Sequence, residues 1–152
     1  IYIPAGTVHS ITKGSFVLEI QEALDVTYRI YDWDREVKRE LHLKEAKENI
    51  ITKFTCDDFI CKTRDIYSSN NCELILIKQT PYFTIEKWNI KDALEAESKG
   101  DTFSILCVLY GNIKIICQSG EYFFNTGDTI LIPAKLGKYK IAGNSSIIHV
   151  YL

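Results

Sequence analysis

The chain has 152 residues, a net charge of −2, 46% hydrophobic content and 25% charged residues. That balance fits a globular protein that buries one good core, or one core and part of another. The absence of a basic footprint speaks against nucleic acid as a partner. No apolar run reaches the roughly 18 residues of a membrane helix.

The chain opens in mid-strand. Residues Ile1-Tyr2-Ile3-Pro4-Ala5-Gly6-Thr7-Val8-His9-Ser10-Ile11 predict a strand, a tight turn and a second strand bearing a histidine. Residues 130–141, Ile-Leu-Ile-Pro-Ala-Lys-Leu-Gly-Lys-Tyr-Lys-Ile, repeat the frame without the histidine; Lys138 and Tyr139 fall near its place. One armed copy and one blank copy predict two related β-domains, only the first of which holds a site. The second copy is launched by a turn, Asn125-Thr126-Gly127-Asp128, whereas nothing precedes the first, and the chain has no methionine. An N-terminal part of the first domain is therefore expected to be missing. The opening residues have neither a charged nor an apolar leader, so no signal peptide is expected.

Further strands are predicted over Val8–Ile11, Phe16–Ile20 and Val26–Tyr31. Residues 32–41 are crowded with charge. Leu43, Ala46, Lys47 and Ile50 recur at helical spacing and predict a short linking helix over about 43–51. The expected organisation is the last strands of an incomplete first domain (1–41), a linking segment (42–53) and a second β-domain (54–152). Strands of the latter are predicted at 58–67, 72–79, 82–89, 103–110, 112–118, 121–124, 129–133, 138–142 and 146–152. Turn sequences such as Ser68-Ser69-Asn70-Asn71 and Gly111-Asn112 separate them. Residues 90–101 read as a polar loop with one helical turn. Many short antiparallel strands define an all-β fold, a double-sheet jelly-roll sandwich.

Five cysteines without a CxxC pair read as buried reduced thiols of a cytoplasmic protein, with a redox or metal role as the alternative. His9 is either a structural strand histidine or a metal ligand; zinc needs three or four ligands, and no local cluster supplies them. His42 reads as a helix cap or surface residue and His149 as a core or rim residue. Glu19, alone in an apolar strand, suits proton transfer, or else faces water. Arg29 can stabilise an anionic oxygen, or form a structural ion pair with Asp25 or Asp32. On a strand, Thr27, Arg29 and Tyr31 share one face. The cluster Tyr31-Asp32-Trp33-Asp34-Arg35 is a solvated loop anchored by Trp33, or the lining of a polar cleft. No nucleotide-binding or nucleophile-elbow motif is present.

Four stretches together, Ile3–His9, Leu18-Glu19-Ile20-Gln21, Thr27–Arg35 and Arg39-Glu40-Leu41-His42, resemble the second half of type I mannose-6-phosphate isomerases of the short bacterial kind. Residues 54–152 are similar to that family's smaller C-terminal β-domain. The resemblance implies a cupin fold and zinc-dependent interconversion of mannose 6-phosphate and fructose 6-phosphate. By the same resemblance, His9 is a zinc ligand, Arg29 the catalytic arginine and Glu19 an acid near the substrate. The other ligands of the one zinc ion are expected outside this chain, so the piece alone is expected to be nearly inactive. The family's usual polar stretch is replaced here by Glu22-Ala23-Leu24-Asp25-Val26. A non-enzymatic cupin-like module that binds a sugar or a protein is the competing reading; a cupin-type metal oxygenase is a third. Unpaired strands at residues 1–30 predict self-association.

Overall fold

The structure, a computed structural model, describes every residue except Asp34 and Lys99. The chain divides into two compact units, Ile1–Ile60 and Cys61–Leu152.

In the first unit the regular elements are one helix, α1 (Leu43–Asn49), and one 3-10 turn, Cys56–Phe59. The strands expected at 8–11, 16–20 and 26–31 do not form among the described residues. A strand is held by its ladder, and residues 1–42 pair with no neighbouring strand. Their apolar side chains, Val8, Ile11, Phe16, Leu18 and Val26 among them, stay exposed. The Pro4–Thr7 turn does form: Thr7 N–H donates to Pro4 O at 3.2 Å, and Gly6 takes φ +80°. That is the positive φ a type II turn needs at its third residue. Ile51 N–H bonds Gly6 O at 3.0 Å, and a side chain at Gly6 would meet Asn49 O and Ile51 at 2.8 Å. The chain after α1 thus packs directly on the turn. Tyr2 N–H in turn donates to Phe59 O at 3.0 Å.

The second unit is a sandwich of nine strands: β1 (Arg64–Ser68), β2 (Cys72–Gln79), β3 (Thr84–Ile90), β4 (Ala93–Glu97), β5 (Ser104–Cys117), β6 (Gly120–Asn125), β7 (Thr129–Ile132), β8 (Lys138–Ala142) and β9 (Ser145–Tyr151). All pairings are antiparallel. One sheet runs β1-β2-β3-β9-β5-β7 and the other β4-β8-β5-β6, so β5 belongs to both. Its first half pairs with β7 and β9, its second with β6 and β8.

The change of sheet falls at Gly111, φ +84°, where a Cβ would lie 2.1 Å from Asn144 O. Gly143, φ +125°, faces the same corner, with Asn112 O 2.3 Å from its would-be Cβ. Only glycine satisfies both the positive φ and the close backbone approach. The expected break between strands 103–110 and 112–118 is therefore a corner within one strand. The predicted loop at 90–101 contains β4, whose Leu94 lies opposite Ile141 of β8. Ala and Glu are poor strand formers, and pairing overrides that preference. The strand expected from residue 58 begins at Arg64, because Thr55 and Asp58 cap the 3-10 turn.

Ile90, Leu106, Ile141 and Ile147 are fully buried between the sheets. Burial of each such side chain stabilises by roughly 1.5–3 kcal/mol. They sit at alternate positions: β7 and β8 read exposed-buried along their lengths, as a two-residue period requires. The five cysteines are free, Cys72 and Cys107 in the core but Cys56 exposed and Cys61 and Cys117 half-buried. Expectation of uniformly buried thiols thus holds for two of them. No helix among the described residues is long and apolar enough to cross a membrane.

Candidate functional site

Two places hold side chains capable of chemistry. In the first unit, His9 follows the Pro4–Thr7 turn and stands exposed, its ring Nδ1 2.9 Å from Thr7 O. A carbonyl only accepts, so Nδ1 is the donor in this contact and Nε2 is the ring nitrogen left for a ligand role. A backbone carbonyl that fixes the tautomer in this way is a common support for a metal-binding imidazole. Close by in sequence, Thr7 Oγ1 is buried and has no partner among the described residues. Glu19 is exposed. No hydrogen bond or ion pair joins His9, Glu19 and Arg29 to one another among the described residues.

Arg29 is tethered. Its Nη1 donates to Glu40 O at 3.1 Å and its Nε lies 3.9 Å from Asp32 Oδ1. The structural ion pair with Asp32, one of the two readings of this arginine, is thus present. The shared strand face of Thr27, Arg29 and Tyr31 is not, since residues 26–31 form no strand. Asp32 is the hub of this unit, 6% exposed. Arg39 Nε and Arg39 N–H donate to its two oxygens at 2.7 and 2.8 Å, and Arg35 Nε lies at 3.6 Å. The hydrogen bonds from Arg39 hold the Asp32 carboxyl below its ordinary range. His42, read as a helix cap or a surface residue, makes no side-chain cap and is half-buried. Its Nδ1 accepts from Arg29 N–H at 3.0 Å, and its own N–H donates to Arg29 O at 2.8 Å. It pins the arginine's backbone instead. In the cluster at 31–35, Trp33 takes φ +53° and packs edge-on to Tyr31; Asp34 lies outside the described residues.

A zinc site is tested by its donors. No group of three His, Cys, Asp or Glu side chains that could hold a metal exists among the described residues. His9 fits as a single ligand through Nε2; these residues alone do not complete a site.

The second place was not singled out by the sequence. Inward positions of β3 are Thr84, Glu86, Trp88 and Ile90; those of β9 are Ser145, Ile147, His149 and Tyr151. Register sets Glu86 opposite His149 and Thr84 opposite Tyr151. Glu86 Oε2 accepts from Trp88 Nε1 at 2.8 Å and lies 3.2 Å from His149 Nδ1; Oε1 accepts from the Tyr151 hydroxyl at 2.8 Å. The rings of Trp88, His149 and Tyr151 form a ladder with centroids 4.1 and 4.8 Å apart. Burial pushes the Glu86 carboxyl up, but hydrogen bonds from His149, Tyr151 and Trp88 outweigh it and hold it below its ordinary value. Burial, then the bond to Glu86, pushes Tyr151 up to about 12. Tyr139 of β8 is likewise raised to about 12, by burial and then by the Glu86 charge. These residues line a cavity of about 310 Å³ between the sheets. His149 is therefore a cavity residue, and the copy read as blank carries a polar centre. A glutamate and a histidine on the inward register of apolar strands were the signal for it.

Two sheets that share one bent strand around a polar-lined cavity make this unit a cupin. The chain belongs to the family described as mannose-6-phosphate isomerase, cupin domain, whose model matches residues 73–152. It is 37% identical over 146 residues to the probable mannose-6-phosphate isomerase GmuF of Bacillus subtilis, covering 93% of this chain and 45% of that relative. It is 35% identical to mannose-6-phosphate isomerase ManA of the same organism, over 99% of this chain and 48% of ManA. The crystal structure of a mannose 6-phosphate isomerase from B. subtilis superposes with a TM-score of 0.71 at 25% identity, over 84% of this chain and 41% of that one. The chain spans about half the length of the curated relatives it matches.

Proposed function

We propose that this chain is the C-terminal portion of a cytoplasmic, zinc-dependent isomerase that interconverts mannose 6-phosphate and fructose 6-phosphate. The observation that carries the reading is the 37% identity with a probable mannose-6-phosphate isomerase, sustained over 93% of the chain, first unit included. On this reading residues 1–41 complete a metal-binding cupin domain, 42–53 link, and 54–152 form a second cupin domain.

Zinc, when bound, supplies a Lewis acid for the substrate oxygens. His9 offers Nε2 as one ligand, with Nδ1 already committed to Thr7 O. Aldose–ketose isomerisation moves a proton between C1 and C2 through an enediolate. Arg29 stabilises the negative charge that develops on the substrate oxygen. Its Nε and Nη1 are held by Asp32 and Glu40, which fixes the guanidinium plane and leaves Nη2 without a partner among the described residues. Glu19, open to solvent, carries the proton between the two carbons.

The test is an isomerase assay, with added zinc, of the 152-residue chain alone and of the native polypeptide that carries it. Turnover by the native polypeptide and near-inactivity of the chain alone are expected, because one imidazole does not retain zinc. Strong activity from the chain alone overturns the assignment of the remaining ligands; no activity in the native polypeptide overturns the isomerase reading. Exposed apolar residues over 1–30 further support self-association of the isolated chain. Light scattering should give more than the monomer mass at high concentration, and a clean monomer contradicts it.

A further inference from the structure

We propose that the cavity of the second unit is a binding site for a small uncharged polyol, a free hexose or hexitol, and that Glu86 and Tyr139 are its polar anchors. Four observations carry this. The cavity, about 310 Å³, lies within the range of small-molecule sites, roughly 300–1,000 Å³. Its floor has aromatic faces, Trp88 and Tyr151, on either side of the His149 ring. Such surfaces pack against the C–H faces of a sugar ring.

Third, Tyr139 is 4% exposed and comes from the sheet opposite Glu86. Its hydroxyl has no hydrogen-bond partner among the described residues, although it lines the cavity. The hydroxyl opens onto the cavity, where a ligand hydroxyl can bond it. Fourth, Glu86 has acceptor capacity left for a ligand hydroxyl. A carboxylate has about four lone-pair sites. Three of Glu86's are taken by Trp88, His149 and Tyr151. One remains, enough for one O–H of a ligand.

The charge of the described lining disfavours a phosphate. Glu86, Glu95, Glu97 and Asp101 face the cavity or its rim, with His149 the one basic side chain lining it among the described residues. Lys140 meets Glu95 at 3.9 Å, and both are substantially exposed. A sugar phosphate entering here would meet a lining that carries more acidic than basic side chains among the described residues. The unphosphorylated polyol is therefore the class that fits, and this site stands independently of isomerase turnover.

The chain has two tryptophans, Trp33 and Trp88. A Trp33→Phe background of the chain carrying both units leaves Trp88 as its single indole reporter in the cavity. Titration with D-mannose and D-sorbitol should change its fluorescence saturably. D-mannose 6-phosphate and choline should bind roughly tenfold more weakly or less. Glu86→Gln and Tyr139→Phe should each weaken neutral binding by roughly tenfold or more. Tyr139→Phe removes a hydroxyl without a partner among the described residues, so its melting temperature should stay near the parent's, and it carries the test if Glu86→Gln fails to fold. Absence of saturable binding by both neutral ligands, equal binding of the phosphate or choline, or unchanged affinity in a folded Tyr139→Phe overturns the proposal.

Discussion

Two carboxylates organise the chemistry of this chain, and they do so in opposite ways. Asp32 gathers arginines and fastens a loop of the first unit; Glu86 gathers ring N–H and hydroxyl donors and faces a cavity in the second. Removing Asp32 leaves Arg29, Arg35 and Arg39 without their common partner. An Asp32→Ala chain should show faster amide hydrogen exchange at Arg39, whose N–H loses its acceptor; unchanged exchange contradicts the hub role. For Glu86 the folded pKa lies below its ordinary value. Its stabilising bonds are therefore present above the unfolded pKa, near 4.3–4.5, and are lost as pH falls through the lower folded value. The melting-temperature gap between wild type and Glu86→Gln should shrink as pH is taken from about 6 to about 3. A gap that stays constant places the stabilisation elsewhere. Sequence alone gave Arg29 two readings, and its ion pair with Asp32 was one of them. It could not reveal Glu86, because the register of β3 against β9 decides which residues meet, and register is a tertiary outcome.

Among the elements, β5 determines the architecture, since it is shared by both sheets and bends at Gly111. Gly-Asn reads as a hairpin turn from composition. Here the same positive φ makes a corner, because β9 pairs before it and β8 after it. The strand-poor β4 and the fused β5 are therefore where local preference failed, and the remaining strands from β2 onward lie close to their predicted positions. Gly111→Ala adds a Cβ 2.1 Å from a backbone oxygen, on top of left-handed strain of about 1–2 kcal/mol. Gly127 also has positive φ but open space around it, so Gly127→Ala meets the strain alone. Thermal melts should rank Gly111→Ala and Gly143→Ala well below Gly127→Ala; equal losses contradict the corner. Ile141→Ala, in the core of β8, should cost about 2–5 kcal/mol.

At the scale of the molecule, the two units stand in contrast. The second builds a sandwich from its own strands, with paired ladders and an apolar core cluster beside its cavity. The first leaves strand-patterned sequence unpaired and apolar side chains in solvent. Strand patterning was legible in both, because it depends on alternate residues. Strand formation was not, because a ladder needs a second edge. For His9, Glu19 and Arg29 the residue types are readable, and no hydrogen bond or ion pair joins them among the described residues. Steady-state isomerisation of mannose 6-phosphate by the native polypeptide, compared with its Arg29→Ala variant, tests this account most directly. The account predicts a loss of roughly a hundredfold or more in turnover, with the melting temperature and the fluorescence response of the second unit preserved. Turnover equal to that of the parent contradicts it.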